Sequence, residues 1–380
     1  MYIKKYQKKE ETFYMFQGYL GTDPATGKRI TVTRRGFSSQ KECELEYYRL
    51  KLEFENEGYS KKVNYTFREV YDLWIAQYQN TVKESTLNKT LGLFKDHILP
   101  HFGKMYIDKV KVTHCQSAVN DWFKKLKNYR ILKNYTSSVF KHGMKLGIIK
   151  ENPCVLVTVP VKKFEVEEEE ILNYYTKEEL VSFLDATKEH DPDKWYTFFR
   201  LLAYSGCRKG ELLALTWNDV NFSKDTISIN KTLTMGLENK LIIQPPKTKK
   251  GKRVLSMDAS TMQIMKEWKS KQAKEMLSLG YNTMGKNQLV FTNLKNKFIN
   301  PQKIGQKIRP ICKKIDLKEI TPHGFRHTHC SLLFEAGASI KEVQERLGHA
   351  DIQTTMNIYA HVTEKKKEET AQKFAAYLNI

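Results

Sequence analysis

The chain has 380 residues, 40% of them hydrophobic, and contains 64 Lys and Arg against 43 Asp and Glu, a net charge of +21. This length predicts two or three globular domains. We expect a soluble, cytoplasmic protein with no membrane partner, because the sequence shows neither an apolar run of roughly 20 residues nor a signal peptide. The charge favours nucleic acid as a partner, since displacing counterions from phosphates drives binding. A merely soluble basic protein is the alternative.

Residues 11–37 have the pattern of a β-hairpin, in which two β-prone segments flank the turn-rich residues 23–27. Tyr2 and Ile3 could belong to a third strand. Eight of the first 35 residues are Lys or Arg. The sheet is therefore predicted to face DNA, as β-sheet readers of the major groove do. A solvated basic hairpin without a ligand is the alternative.

A Glu-rich helix is predicted to follow the hairpin, with Ser38 or Ser39 as its cap. Three apolar residues recur along it at helical spacing: Leu45, Tyr48 and Leu52. We expect residues 1–62 to form one small DNA-binding domain, made of a β-sheet and a helix.

Residues 64–154 are predicted to form an all-helical domain. Apolar residues recur near its start at three- and four-residue steps, at Phe67, Val70, Trp74 and Tyr78. A break at residues 99–103, which include a proline and a glycine, is predicted to separate this stretch from a second one around residues 119–126. Residues 155–170, with Pro160 and a run of glutamates, are predicted to be a linker.

Residues 171–380 are predicted to form a mixed, mainly helical domain. It begins with a capping box of Thr176 and Glu179, and an apolar helix is expected after it. Residues 226–257 alternate like the strands of a small antiparallel sheet. After Thr321 the chain is predicted to be helical, up to a C-terminal tail helix. The whole chain is thus predicted to have a multidomain α+β fold.

Two of four notable short patterns lie between residues 205 and 252. Arg208 is flanked by glycines that permit close backbone approach, and Glu211 could orient its guanidinium group. Lys247 lies in a turn between two predicted strands. Three further lysines crowd the same turn, so the choice among them stays open: Lys249, Lys250 and Lys252.

The other two patterns lie after residue 320. His323 and Arg326 have a spacing that places them on one helical face, and His349 precedes Tyr359 by ten residues. His323 and His327 have the i,i+4 spacing of metal ligands. No H-E-x-x-H motif accompanies them, and the six cysteines form no CxxC pair, so no metal site is predicted.

Each pattern alone is weak, but together they suit phosphoryl transfer. Arg208 and Arg326 can clamp the oxygens of one phosphate and neutralise the charge of its transition state. Tyr359 can attack phosphorus once positive neighbours favour its phenolate. A lysine and two histidines can exchange protons near neutral pH. Such a site needs no metal and no other cofactor.

This constellation resembles that of the tyrosine recombinases, which have Arg, Lys, His-x-x-Arg, His or Trp, and Tyr in this order. The matching residues are Arg208, Lys247, His323, Arg326, His349 and Tyr359. Residues 64–154 resemble the core-binding domain of this family. Residues 1–62 resemble the arm-binding domain of integrases from phages and conjugative transposons.

The resemblance implies a site-specific recombinase that cuts and rejoins DNA through a 3′-phosphotyrosyl bond at Tyr359, without ATP. It implies that Arg208 and Arg326 hold the phosphate and that Lys247 protonates the leaving oxygen. His323 would be an acid/base, and His349 would donate a hydrogen bond. The expected partners are double-stranded DNA, with core-type and arm-type sites, and further protomers in a homotetramer. A DNA-bending or excision accessory protein is left open.

Two other functions share parts of this pattern. A type IB topoisomerase uses the same chemistry to relax supercoils, but the additional N-terminal hairpin domain favours an integrase. A DNA-binding protein without catalysis could use the same fold. The intact set of chemical residues argues against it, because a binder does not need Lys247, His349 and Tyr359 together.

Overall fold

The computed structural model describes residues 1–8, 11–23, 27–57, 64–161, 173–246, 249–348 and 356. They group into two compact units. The first consists of residues 1–78 and 93–160, and the second of residues 79–92 together with the described part of 161–380. No helix in these described ranges is long and apolar enough to cross a membrane.

The N-terminal sheet has three antiparallel strands in the order β1-β2-β3, with bounds Tyr2–Lys8, Glu11–Thr22 and Arg29–Phe37. Helix α1 (Gln40–Glu57) packs on it. The hairpin, the third strand and the helix are all confirmed. The hydroxyl of Ser39 accepts a hydrogen bond from the backbone N–H of Glu42 at 3.2 Å, as expected of a cap.

The apolar stripe predicted on α1 is not the one that faces the sheet. Leu45, Tyr48 and Leu52 are each more than 60% exposed. The core instead contains Cys43 and Tyr47 from the helix. The physical reason lies in the sheet, where a Cβ added to Gly18 would come within 2.3 Å of the Tyr47 ring. That glycine leaves a recess for the aromatic ring, and the recess selects which side of the helix is buried.

The helical part of the first unit has a core rich in aromatic side chains, including Phe67, Phe94, Trp122 and Phe140. Its helices are α2 (Phe67–Tyr78), α3 (Glu84–Leu93), α4 (Leu99–Phe102), α5 (Val112–Lys125) and α6 (Tyr129–Lys145), of which α3 lies mostly in the second unit. Short 3-10 helices span Ile107–Lys109 and Pro153–Leu156.

The predicted break at residues 99–103 is wrong in its position. A π-helical turn, Phe94–Ile98, leads from α3 directly into α4, so the chain leaves the helix only at Gly103. Pro100 lies in the first turn of α4, where a missing N–H leaves no hydrogen bond unmade. The wider π turn just before it is the adjustment that lets helical structure run up to this proline.

The second unit is mainly helical around a large core that includes Phe183, Phe198, Phe199, Phe291 and Phe325. Its remaining helices are α7 (Lys177–His190), α8 (Lys194–Ser205), α9 (Lys209–Leu213), α10 (Ala259–Ser278), α11 (Lys303–Lys314), α12 (Gly324–Glu335) and α13 (Ile340–Leu347). The predicted capping box is present, since the backbone N–H of Glu179 donates to the hydroxyl of Thr176 at 3.2 Å.

Two small antiparallel sheets complete this unit, where the alternating pattern predicted one. One has the order β4-β5-β8, with bounds Val220–Asn221, Thr226–Ile229 and Arg253–Ser256. The other is a hairpin of β6 (Thr232–Met235) and β7 (Leu241–Gln244). Short 3-10 helices span Trp217–Asp219, Leu237–Asn239 and Lys249–Gly251. The predicted multidomain α+β fold is therefore confirmed.

The predicted tail helix and most of the predicted linker lie outside the described residues. Helices α12 and α13 bear out the prediction of helical structure after Thr321 as far as residue 348.

Candidate active site

Arg208 lies at the start of α9, between that helix and the end of α8. Its backbone N–H donates to Glu211 Oε2 at 3.0 Å, and its Nη1 donates to Glu211 Oε1 at 2.9 Å. The side chain of Arg208 is 43% exposed, whereas that of Glu211 is only 3% exposed. The buried carboxylate thus orients the guanidinium group of Arg208, which is still partly exposed to solvent. The spacing of the two residues predicted this contact.

Arg326 lies in the first turn of α12 and is almost fully buried. Its Nη1 donates to the carbonyl of Gly206 at 2.8 Å, and its Nη2 donates to the carbonyl of Leu347 at 2.6 Å. Burial lowers the pKa of Arg326 to about 9, and the positive charge of Arg208 contributes to this shift. The group remains protonated at neutral pH, but its cation is held in a poorly solvated position.

Arg253, which belongs to none of the four sequence patterns, connects α9 to the end of α13. Its Nη2 donates to Glu211 Oε2 at 3.0 Å, and its Nε donates to the carbonyl of Arg346 at 2.8 Å. Burial alone would raise the pKa of Glu211, but the charge of Arg253 and the hydrogen bonds from Arg253 and Arg208 keep it below its usual value. In the sequence, Arg253 could have been noticed only as a basic residue in the predicted strand that follows the lysine-rich turn, the turn of Lys247 to Lys252.

Close backbone approach brings the four sequence patterns together. Gly206 ends α8 with a φ of 62°, and a Cβ there would lie 2.5 Å from the ring of His329 on α12. Gly348 ends α13 with a φ of 66°, and a Cβ there would lie 2.7 Å from the carbonyl oxygen of Lys250. The end of α13 therefore touches the lysine-rich turn.

His323 precedes α12 and lies beside a second histidine. Its ring and that of His327 are 4.7 Å apart between centroids, in an edge-to-face arrangement. The residue as a whole is exposed, yet desolvation of its imidazole and the charges of His327 and Arg326 lower its pKa to about 4. His323 is therefore neutral at pH 7 and can accept a proton or a hydrogen bond.

The second histidine of α12, His329, is buried and has a structural role. Its Nε2 accepts a hydrogen bond from Arg346 Nε at 3.0 Å. Burial and the charge of Arg346 lower the pKa of His329 to about 3. Among the described residues, no group of three or more His, Cys, Asp and Glu is arranged to hold a metal ion.

Three predicted site residues, Lys247, His349 and Tyr359, lie outside the described residues. Of the other three, His323 and Arg326 are in contact, since the backbone N–H of Arg326 donates to the carbonyl of His323 at 3.0 Å. The charges of Arg326 and Arg208 both lower the pKa of His323. The described neighbours of Lys247 and His349 also meet, through the approach of Gly348 to Lys250.

Three family models match this chain. Residues 173–366 match the phage integrase family, residues 66–123 match the N-terminal SAM-like domain of phage integrases, and residues 2–53 match an arm DNA-binding domain. The fold and these matches define a tyrosine recombinase, an enzyme for site-specific recombination of DNA. Because the first match alone covers just over half of the chain, the protein belongs to the phage integrase family.

Curated relatives agree with this assignment. The chain is 28% identical over 378 residues to the ICEBs1 integrase of Bacillus subtilis, covering 97% of this chain and 98% of that protein. It is 28% identical over 244 residues to the transposase of transposon Tn916 from Enterococcus faecalis, covering 62% of this chain and 59% of that protein. These relatives favour recombination over the topoisomerase and non-catalytic alternatives.

Solved structures share the fold. The integrase of transposon Tn1549 in complex with transposon right-end DNA superposes with a TM-score of 0.66 at 23% identity, covering 82% of this chain and all of that one. A lambda integrase tetramer bound to a Holliday junction superposes with a TM-score of 0.55 at 16% identity, covering 93% of this chain and 94% of that one.

Proposed function

We propose that this recombinase breaks and rejoins duplex DNA through a covalent bond between Tyr359 and a 3′-phosphate. The observation that carries the proposal is the cluster of Arg208, Arg253 and Arg326 around the carboxylate of Glu211. Arg208 and Arg253 pair with this carboxylate, and the charges of Arg208 and Glu211 both shift the pKa of the buried Arg326. The cluster therefore has a positive excess, and Arg208 projects part of it towards solvent. A phosphate diester carries the charge and the planar oxygen pairs that such groups bind.

Arg326 and Arg208 contribute to this step in different ways. Arg326, oriented by the carbonyls of Gly206 and Leu347, provides a fixed cation that does not need to reorganise when charge develops on the phosphate. Arg208 is more exposed and contacts the phosphate from the solvent side. Together they stabilise the pentacoordinate transition state.

Proton transfer falls to the remaining residues. The phenolic oxygen of Tyr359 attacks phosphorus, and its proton passes to a base, for which neutral His323 is the candidate. The bond from phosphorus to the 5′-oxygen breaks, and Lys247 gives that oxygen a proton. His349 donates a hydrogen bond to the phosphate. In the reverse reaction a new 5′-hydroxyl attacks the phosphotyrosyl bond and reseals the strand. One phosphodiester bond is thus exchanged for another, so the proposed reaction consumes no ATP and uses no metal ion.

The proposed partners follow from the domains. Residues 1–62 would bind arm-type sites, and residues 64–154 would clamp core-type sites together with the catalytic domain of residues 171–380, across a linker of residues 155–170. Four protomers would exchange strands between two duplexes. The family matches to an arm DNA-binding domain and a SAM-like domain support this division, and the lambda integrase complex is a tetramer on a Holliday junction.

A nicked suicide duplex tests the proposal. After cleavage, the short strand beyond the nick diffuses away, so the covalent intermediate accumulates. We expect the wild-type protein to form a denaturation-resistant adduct without ATP or added metal. Tyr359→Phe should bind the same duplex with similar affinity and form no adduct. Relaxation of a plasmid without joining of two sites would contradict the recombinase assignment.

A further inference from the structure

The segment that contains most of α3 belongs to the second unit. Residues 79–92 group with the described part of 161–380 rather than with the helices that surround them in sequence. Three consecutive residues of this segment, Lys83, Glu84 and Ser85, contact the β6–β7 hairpin and the chain that follows it.

Lys83 binds the chain immediately before the lysine-rich turn. Its Nζ donates to the carbonyl of Pro245 at 3.0 Å and to the carbonyl of Pro246 at 3.1 Å. Charged donors form stronger hydrogen bonds than neutral ones. Two such bonds to adjacent carbonyls hold the backbone of Pro245 and Pro246, directly before this turn.

The two residues that follow Lys83 bind the β6–β7 hairpin, one at its turn and one at the end of β7. Ser85 Oγ donates to Gln244 Oε1 at 3.1 Å, at the end of β7. Glu84 Oε1 accepts the backbone N–H of Leu237 at 2.8 Å, in the connection before β7. A Cβ on Gly236 would come within 2.4 Å of that carboxylate oxygen, so the approach depends on the glycine.

The hairpin also contacts the helix that carries the arginine pattern. A Cβ on Gly210, in α9, would come within 2.6 Å of the carbonyl oxygen of Leu233 in β6. The hairpin thus contacts both α9 and the segment 83–85. Lys83 in addition holds Pro245 and Pro246, where the chain leaves β7.

We propose that Lys83 is a positioning residue for the leaving-group proton. By holding Pro245 and Pro246, it sets the start of the turn that contains Lys247, Lys249, Lys250 and Lys252, and so aligns the acidic ammonium group with the departing 5′-oxygen. This inference rests on the proposed function, since it assumes that a lysine of this turn is the acid. Lys83 itself does not touch the reacting atoms.

Changing the leaving atom separates this role from a general structural one. In a suicide duplex whose scissile 5′-oxygen is replaced by sulfur, the leaving group is a thiolate. A thiol has a pKa of about 8.5 in cysteine, far below that of an alcohol, so departure needs no proton. A variant that has lost only the alignment of its acid should therefore recover on the sulfur substrate.

The experiment compares Lys83→Met, Lys83→Arg and Lys247→Ala in single-turnover cleavage at saturating protein. The control is Lys314→Met, on α11, which removes an exposed lysine paired with Glu189 at 3.2 Å. On the oxygen substrate, Lys83→Met should be slower by about 10-fold to 100-fold, the range for misaligned reacting groups. On the sulfur substrate it should approach the wild-type rate. Lys83→Arg should restore most activity, and the control should match the wild type on both.

Two results would overturn the role of Lys83. One is a wild-type rate for Lys83→Met on the oxygen substrate. The other is an equal loss on both substrates, with or without a lower melting temperature, which would indicate a structural tether or a DNA contact. The result for Lys247→Ala is judged separately. If sulfur fails to rescue that variant, Lys247 is not the acid of the proposed function, whereas selective rescue of Lys83→Met would still assign the acid to this turn.

Discussion

The N-terminal sheet domain and the second unit handle charge in opposite ways. In the described part of residues 1–57 the buried core consists of Phe16, Leu20, Cys43 and Tyr47, and the basic residues of the sheet are exposed. In the second unit Glu211 and Arg326 are themselves buried. Burying charge is costly unless partners offset the lost hydration. The first region therefore keeps its charge at the surface, and the second holds charged groups in fixed positions inside the fold.

The largest expected effect comes from replacing Arg208 or Arg326 in the second unit. Arg208→Ala and Arg326→Ala should each slow cleavage by about 10²–10³, the range for removed transition-state donors. Arg326→Ala should lower the melting temperature more than Arg208→Ala, because it leaves the buried carbonyls of Gly206 and Leu347 without this donor. After Arg208→Ala, Glu211 keeps its bonds from Arg253 and from the backbone N–H of residue 208. Single-turnover cleavage and thermal unfolding measure the two effects.

Arg309→Ala is the matched control for these variants. Arg309 on α11 is 76% exposed and is paired with Glu319 at 3.1 Å, so its loss should change neither cleavage nor melting temperature appreciably. Near-normal cleavage by Arg208→Ala or by Arg326→Ala would refute the phosphate clamp.

A selective effect is expected from the N-terminal domain. Deleting residues 1–62 should leave cleavage of a core-site suicide duplex close to normal, because the cluster around Glu211 lies entirely in the second unit. Integration that requires arm sites should be lost, together with the corresponding salt-dependent affinity. Gel-shift titration of arm and core duplexes at several salt concentrations tests this. Undiminished arm-dependent recombination by the shortened protein would show that the basic sheet does not read arm sites.

The smallest expected effect is on pH-dependent stability. Residues 1–57 contain no histidine, whereas burial lowers the pKa of His329 in the second unit to about 3 from an ordinary value of 6.5. The unfolded chain therefore binds this proton more readily below pH 6.5. The contribution of His329 to stability is full above that pH and falls as the pH drops towards 3.

His329→Gln should accordingly show a smaller loss of melting temperature between pH 7 and pH 5 than the wild type. His190→Gln, at the end of α7, is the control and should follow the wild type. Parallel curves for His329→Gln and the wild type would rule out His329 as a source of the pH dependence.

Sequence patterns predicted the elements well where a local rule decides them. The capping box at Thr176 depends on a hydrogen bond between near neighbours, and the β6–β7 hairpin depends on pairing across a short connection; both are present. The side of α1 that is buried was not predictable, because the choice between two apolar stripes is made by a glycine recess in a distant strand. Helical periodicity alone cannot distinguish such stripes.

The same limit applies to the candidate site. The motif order suggested Arg208, His323 and Arg326, because those residue types have a recognisable chemical meaning at that spacing. Arg253 and Lys83 carry no such signature, since their roles come from carbonyls and carboxylates that only the fold brings within reach. Residues that orient a site are thus harder to predict than residues that form it.

Whether Tyr359 forms the bond to DNA can be determined by mapping the covalent adduct. Tryptic cleavage after Arg346 and Lys365 releases a peptide of residues 347–365, in which Tyr359 is the single tyrosine. Mass spectrometry of the trapped complex should find the nucleotide adduct on this peptide, and Tyr359→Phe should yield no adduct at all. An adduct on any other peptide, or one that persists in Tyr359→Phe, would contradict the account.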